Sequence, residues 1–174
     1  MDTHGQTAVK DKSPEETVFS VEQDFAPVEK PVTLPPEALP ALAKEKGVAS
    51  CLESNEMLAN QLPTSWFVAS RIHLGGPNET DYVVLPNLAI NPESSALCFL
   101  GPNTGQFWVL RKTRTSYVLL LSVWTHSLEV LPGRSNGLRD IEAYTIAVRG
   151  DTKTLFKFDG RQYRKHAERT RPSG

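Results

Sequence analysis

Gln106-Phe107-Trp108-Val109-Leu110-Arg111-Lys112-Thr113-Arg114-Thr115-Ser116-Tyr117-Val118-Leu119-Leu120-Leu121-Ser122-Val123-Trp124 is the stretch that decides the fold. Two runs dense in β-branched and aromatic residues flank a short polar link, which reads as a pair of antiparallel strands. The second run, Tyr117 to Leu121, does not alternate apolar with polar. It is therefore expected to be a central strand covered on both faces, with a helix as one of the covers.

Working outward, the same texture begins at Trp66 and continues to Lys165. Trp66–Leu74, Asp81–Pro86, Ala96–Leu100, Arg139–Arg149, Thr154–Asp159 and Gln162–Lys165 are further strand candidates. Between the candidates lie Gly75-Gly76-Pro77-Asn78, Gly101-Pro102-Asn103-Thr104-Gly105, Pro132-Gly133, Ser135-Asn136-Gly137 and Asp159-Gly160. Such residues supply positive φ or a preset φ and so punctuate strands. Upstream, Pro35-Pro36-Glu37 suits a helix start. Ala38, Leu39, Leu42 and Ala43 then repeat on one helical face, and Lys44, Lys46 and Gly47 suggest its end. A second helical stretch is expected over Val48–Leu58, with Val48, Cys51, Leu52 and Met57 inward.

The fold class expected is α+β, predominantly antiparallel β: a meandering sheet of about six to eight strands with a small N-terminal helical unit packed on it. Residues 34–165 form the single domain, with 34–60 helical and 66–165 the meander. Residues 1–33 are acidic, proline-rich and without periodicity, and are expected to be disordered or extended; residues 166–174 are expected to be a disordered basic tail.

Charge sharpens this division. The chain of 174 residues carries 19 basic and 20 acidic side chains, a net charge of -1, with a mean hydropathy of -0.33. Met1–Lys30 holds seven acids against three lysines, and Arg161–Gly174 holds five bases against one acid. Two oppositely charged ends thus flank a neutral middle. The balance argues against nucleic-acid binding, though the basic end could dock an acidic partner. No apolar run reaches the roughly 18 residues of a membrane span, and no apolar run behind Met1 reads as a signal peptide.

Two segments look like variants of one another. Arg71-Ile72-His73-Leu74-Gly75-Gly76-Pro77-Asn78-Glu79-Thr80-Asp81-Tyr82-Val83-Val84 is strand, Gly/Asn loop, aspartate, strand, and Ser135-Asn136-Gly137-Leu138-Arg139-Asp140-Ile141-Glu142 is a shorter version. With Phe107-Trp108-Val109-Leu110-Arg111, the Tyr117 leucine run and Phe158-Asp159-Gly160-Arg161-Gln162-Tyr163-Arg164, this order resembles the FG-GAP or VCBS-type repeat of bacterial exported proteins. The resemblance covers roughly residues 66–165. It implies a periplasmic or secreted location, the alternative being cytoplasmic, and a loop that in the repeat type often binds Ca²⁺. Taking Asp81 as the last ligand places His73, Gly75, Pro77 and Glu79 at the preceding alternate positions. Only Glu79, or Asn78 by a shift, adds side-chain oxygen, whereas calcium takes six to eight oxygens. No metal is therefore expected, and Asp81 and Asp140 are expected to fix their own loops by accepting backbone N–H groups.

The remaining chemistry is sparse. Cys51 and Cys98 read either as two buried thiols or as one structural disulfide pinning the helical unit to the sheet, and the resemblance to exported domains favours the disulfide. The four histidines, His4, His73, His126 and His166, are scattered without metal-ligand spacing. No G-x-S-x-G elbow, Walker A or G-x-G-x-x-G accompanies them, so no catalytic residue and no cofactor is expected. Trp66, Trp108 and Trp124 read as core residues rather than as a stacking platform. The loop from Leu131 to Arg139 is the best candidate for recognition, with Arg134, Asn136 and Arg139 as binding residues.

The expectation is a monomeric, non-enzymatic exported β domain acting through protein or cell-envelope contacts. The first alternative is an enzyme inhibitor or immunity-like protein using the Arg134–Arg139 loop. The second is a hydrolase with an unrecognised site around His126 or His73.

Overall fold

The structure, a computed structural model, describes residues 14–21, 28–87 and 98–173. It is α+β and predominantly antiparallel, with the meander folded into two sheets. The first sheet contains β2 (Phe67–Ile72), β3 (Asp81–Pro86), β4 (Gly105–Lys112) and β5 (Tyr117–Thr125), neighbours in chain order. The second contains β6 (Ser127–Ser135), β7 (Leu138–Ala147), β8 (Gly150–Phe158) and β9 (Tyr163–Pro172), with β1 (Val18–Ser20) added beside β6.

A single residue, His126, separates β5 from β6, and there the chain leaves one sheet for the other. The corner is held by the Thr125 hydroxyl, which donates to the carbonyls of Ser127 (3.0 Å) and Tyr144 (2.8 Å). The His126 N–H donates to Tyr144 O at 3.0 Å and its carbonyl accepts Val21 N–H at 3.1 Å.

The first sheet is covered on both faces, which explains why β3 is buried at all six positions. Odd and even residues serve different cores. Val83, Leu85, Phe107 and Val109 meet Leu128, Val130, Ile141 and Tyr163 of the second sheet, while Tyr82, Val84, Trp108 and Leu110 meet the helical layer. That layer consists of a 3-10 turn at Pro36–Ala38, α1 (Leu39–Ala43) and α2 (Lys46–Ser54), which present Ala38, Leu42, Val48, Cys51 and Leu52. Trp108 is fully buried there, edge-on to Phe99 and Phe67 with ring centroids 5.1 and 5.4 Å away.

Gly47 proves not to be a helix stop. Glu45 caps α2 by accepting the Val48 N–H at 3.0 Å, so the helix begins before the glycine. Gly47 instead permits close approach to β4, since a Cβ there would lie 2.7 Å from Gln106 Oε1.

The leucine run is an edge strand, not a central one. Val109 pairs with Leu121 and Leu110 with Leu119, leaving Leu120 as an extra residue in β5. A bulge interrupts the period of two, so adjacent Leu120 and Leu121 both enter the inter-sheet core. The lack of alternation was the signature of this bulge.

Three other expectations are corrected. Within Ala96–Leu100, residues 96 and 97 lie outside the described residues, and Cys98–Phe99 form a 3-10 turn followed by one bridge from Leu100 to Gly105. The residues expected to be a disordered basic tail continue as strand to Pro172, paired with β8 from Tyr163 onward. The domain also begins before residue 34: Phe19 of β1 is fully buried in the inter-sheet core. Propensity misleads at both ends, because hydrogen-bond ladders to β6 and β8 order residues whose composition alone does not.

Candidate functional site

The two look-alike segments meet in space at one end of the sandwich. The loop after β2 and the β6–β7 hairpin are joined by Arg134, whose Nη1 donates to the carbonyls of Leu74 (2.8 Å), Gly75 (2.6 Å) and Gly137 (3.1 Å). The Arg139 N–H adds a bond to Leu74 O at 3.0 Å. Asn136 and Gly137 make the hairpin turn itself, with φ of +48° and +86°, as a type I′ turn demands.

Pro132-Gly133 is no inter-strand turn. It lies inside β6, where Leu131, Pro132 and Gly133 bulge out opposite Asp140 alone. The carbonyls this frees need donors, and Arg139 supplies them: Nε reaches Leu131 O at 2.8 Å and Nη2 reaches Val130 O at 2.9 Å. Its Nη1 pairs with Glu15 Oε2 at 2.8 Å, and Glu15 Oε1 takes the His73 N–H at 2.5 Å. Asn136 Nδ2 donates to Phe158 O at 2.7 Å. All three residues expected to bind a partner are thus hydrogen-bonded within the chain, although Arg134 and Asn136 remain exposed.

Beneath this seam lies a charged cluster. Asp81 is fully buried, and its Oδ2 accepts the Leu74 N–H, seven residues before it in the same loop, at 3.0 Å. Burial raises its pKa above the ordinary carboxylate value, against the lowering effects of that N–H and of Arg111. Arg111 Nε stands 3.9 Å from Asp81 Oδ1, and its Nη2 pairs with Glu79. Asp140 departs from the loop-fixing role, because its Oδ1 is buried without a hydrogen-bond partner among the described residues. Tyr163 donates to Arg139 O at 2.6 Å. Burial and the nearby Asp81 and Asp140 hold its phenol well above the usual tyrosine range.

His73 Nδ1 is 2.9 Å from Glu79 O, while His126 Nδ1 is 3.1 Å from Asn103 O and its ring meets Tyr144 edge-on. Cys51 and Cys98 bring their sulfurs to disulfide distance, with Cα atoms 5.8 Å apart, although Cys98 lies on an exposed turn rather than in a buried strand. Trp108 is core, but Trp124 is 44% exposed on the β5 edge.

The basic end, which the sequence offered as a docking arm for an acidic partner without naming residues, forms a second candidate site on the second sheet. From Arg164 to Pro172 every residue of β9 is exposed, and β9 is the last strand of its sheet, so one side of its backbone has no neighbouring strand among the described residues. The register places Tyr144, Lys153 and Arg169 in a row, with Ile146, Asp151 and Arg171 in the next on the same face. Tyr144, Asp151, Lys153, Arg169 and Arg171 of these rows border a groove of about 690 Å³. Tyr144 OH donates to Asp151 Oδ2 at 2.7 Å, and Lys153 pairs with Glu142 at 2.8 Å. Arg164 pairs with Asp159, and Lys165 with Glu168. The side chains of Arg169 and Arg171 have no hydrogen-bond or ion-pair partner among the described residues. The signals in the sequence were the basic charge of residues 161–174 and the short strand candidate Gln162–Lys165, which the structure extends to Pro172. No helix among the described residues is long and apolar enough to cross a membrane. Comparison of the chain with family models, curated proteins and solved structures gives no match.

Proposed function

We propose that this protein is a non-enzymatic binding domain of the exported type, working through protein contact at the free edge of its five-stranded sheet. The observation that carries this reading is β9: a ten-residue edge strand, exposed beyond Tyr163, with two arginines on one face whose side chains have no partner among the described residues. An exposed edge offers unpaired N–H and C=O groups to another chain, and loops or strands on a rigid sandwich commonly carry recognition. The Arg134–Arg139 hairpin supports it less, since its polar side chains are engaged by Leu74, Val130, Leu131, Phe158 and Glu15. Export is supported by the Cys51–Cys98 pair, because disulfides persist in oxidising compartments.

The test is photo-crosslinking from a reactive group at Thr170, compared with the same group at Asn136 on the opposite end of the second sheet. Discrete adducts with envelope or secreted proteins are expected from Thr170. Adducts equal in kind and yield from both positions, or none from Thr170, would remove the reading.

A further inference from the structure

We infer that β9 accepts an acidic, extended segment of a partner protein as a sixth strand of the sheet, reading carboxylates spaced two residues apart; this rests on the proposed function above.

The geometry selects both the backbone and the side chains of the occupant. Phe156 pairs with Lys165 and Leu155 with Ala167, so His166 is an extra residue that bulges the first part of β9. Beyond it, Ala167–Pro172 pair with β8 without interruption. Within this regular stretch every second residue turns its N–H and C=O away from β8, and only Pro172, at the end, carries no N–H at all. Side chains alternate across a sheet, so Arg169 and Arg171 share one face while Glu168 and Thr170 share the other. An added strand that follows the register sets its own alternate residues beside Arg169 and Arg171. Acids at those positions meet two guanidinium groups that form no ion pair among the described residues, Asp151 opposite Arg171 being bonded instead to Tyr144 OH.

Charge narrows the class of occupant. Residues 161–174 hold five bases and one acid, so pairing β9 with β9 of a second copy would align like charges. Nucleic acid would satisfy the arginines but leave the unpaired backbone groups without their complementary donors and acceptors. A peptide strand satisfies both, the mode of recognition known as β-augmentation.

The experiment uses the whole purified chain and two synthetic peptides of identical composition, one with glutamates at alternate positions and one with them grouped. Binding is followed by fluorescence anisotropy, and backbone protection by amide hydrogen exchange. The alternating peptide should bind at least about tenfold more tightly than the grouped one and protect β9 amides. Backbone N-methylation of the peptide, or R169E/R171E in the protein, should each reduce binding about tenfold or more. Unchanged circular dichroism and urea midpoint show that R169E/R171E is folded. Equal binding of both peptides, indifference to N-methylation, competition by a short oligonucleotide, or peptide-free dimerisation on β9 would overturn strand addition. If Thr170 still crosslinks a partner in that event, the binding function survives and only the acidic-strand mechanism fails. Absence of both signals overturns both.

Discussion

Arg134, on the second sheet, donates to the carbonyl of Leu74, in the loop that leaves the first sheet, at 2.8 Å. This bond crosses the sandwich at the point where the two look-alike segments meet. It turns a hairpin that reads as a free recognition loop into a tie between layers.

Both arginines of that hairpin should therefore matter to stability. Arg139 is the more buried, at 14% side-chain exposure, and serves two carbonyls as well as Glu15. Arg139→Ala should cost about 2–3 kcal/mol in urea unfolding, and Arg134→Ala about 1 kcal/mol. Arg139→Lys should recover less than half of the loss, because an ammonium cannot fork between Val130 O and Leu131 O. Equal, near-zero losses would show that the hairpin is held by its ladder alone.

Asp81 should make stability depend on pH in an unusual direction. Its pKa in the folded chain is raised by burial above 3.8, so the folded state holds the proton more tightly. The contribution is fully present below that value and is lost as pH rises through the folded-state pKa. Asp81→Asn removes the titration and keeps an oxygen for the Leu74 N–H. Its stability relative to the parent should rise as pH increases from about 4 through the folded-state pKa, as measured by urea midpoints. A difference that stays flat or falls would contradict the assignment.

The Cys51–Cys98 pair closes 47 residues of chain between the helical layer and the turn before β4. Loop-closure entropy assigns such a cross-link about 4 kcal/mol. Thiol titration of denatured, unreduced protein should find no reactive cysteine, and reduction should lower the thermal midpoint. Two reactive thiols without reductant would refute the cross-link.

Gly150 should be irreplaceable. Its φ is +133°, and a Cβ would collide with the Arg171 carbonyl across the β8–β9 ladder. Gly150→Ala should cost about 1–3 kcal/mol and deprotect the β9 amides near Arg171 in hydrogen exchange, leaving β3 and β4 protected.

Leu120 tests the bulge. It is buried as the extra residue of β5, whereas Val118 in the same strand is 39% exposed. Leu120→Ala should cost about 2–4 kcal/mol and Val118→Ala about 0.5 kcal/mol or less. Similar losses would mean that the strand runs in ordinary register.

Much of this protein was written in local pattern. Asp81–Pro86 and Gln106–Lys112 announced strands through their dense apolar and β-branched residues, and Asn136-Gly137 announced a tight hairpin through the φ it permits. Those signals are short-range, so they establish the α+β class and the antiparallel connections without partners. Tertiary structure decided the rest. Splitting the meander at Thr125–Ser127 needed the Thr125 hydroxyl to find Tyr144 O, nineteen residues on. Strand formation in β9 needed β8 beside it, since beyond Tyr163 its arginines, Lys165, Glu168 and Thr170 make no apolar face. Whether Arg134 and Arg139 face a partner or their own chain depended on carbonyls of Leu74, Val130 and Leu131, and such long-range pairings leave no trace in residue order.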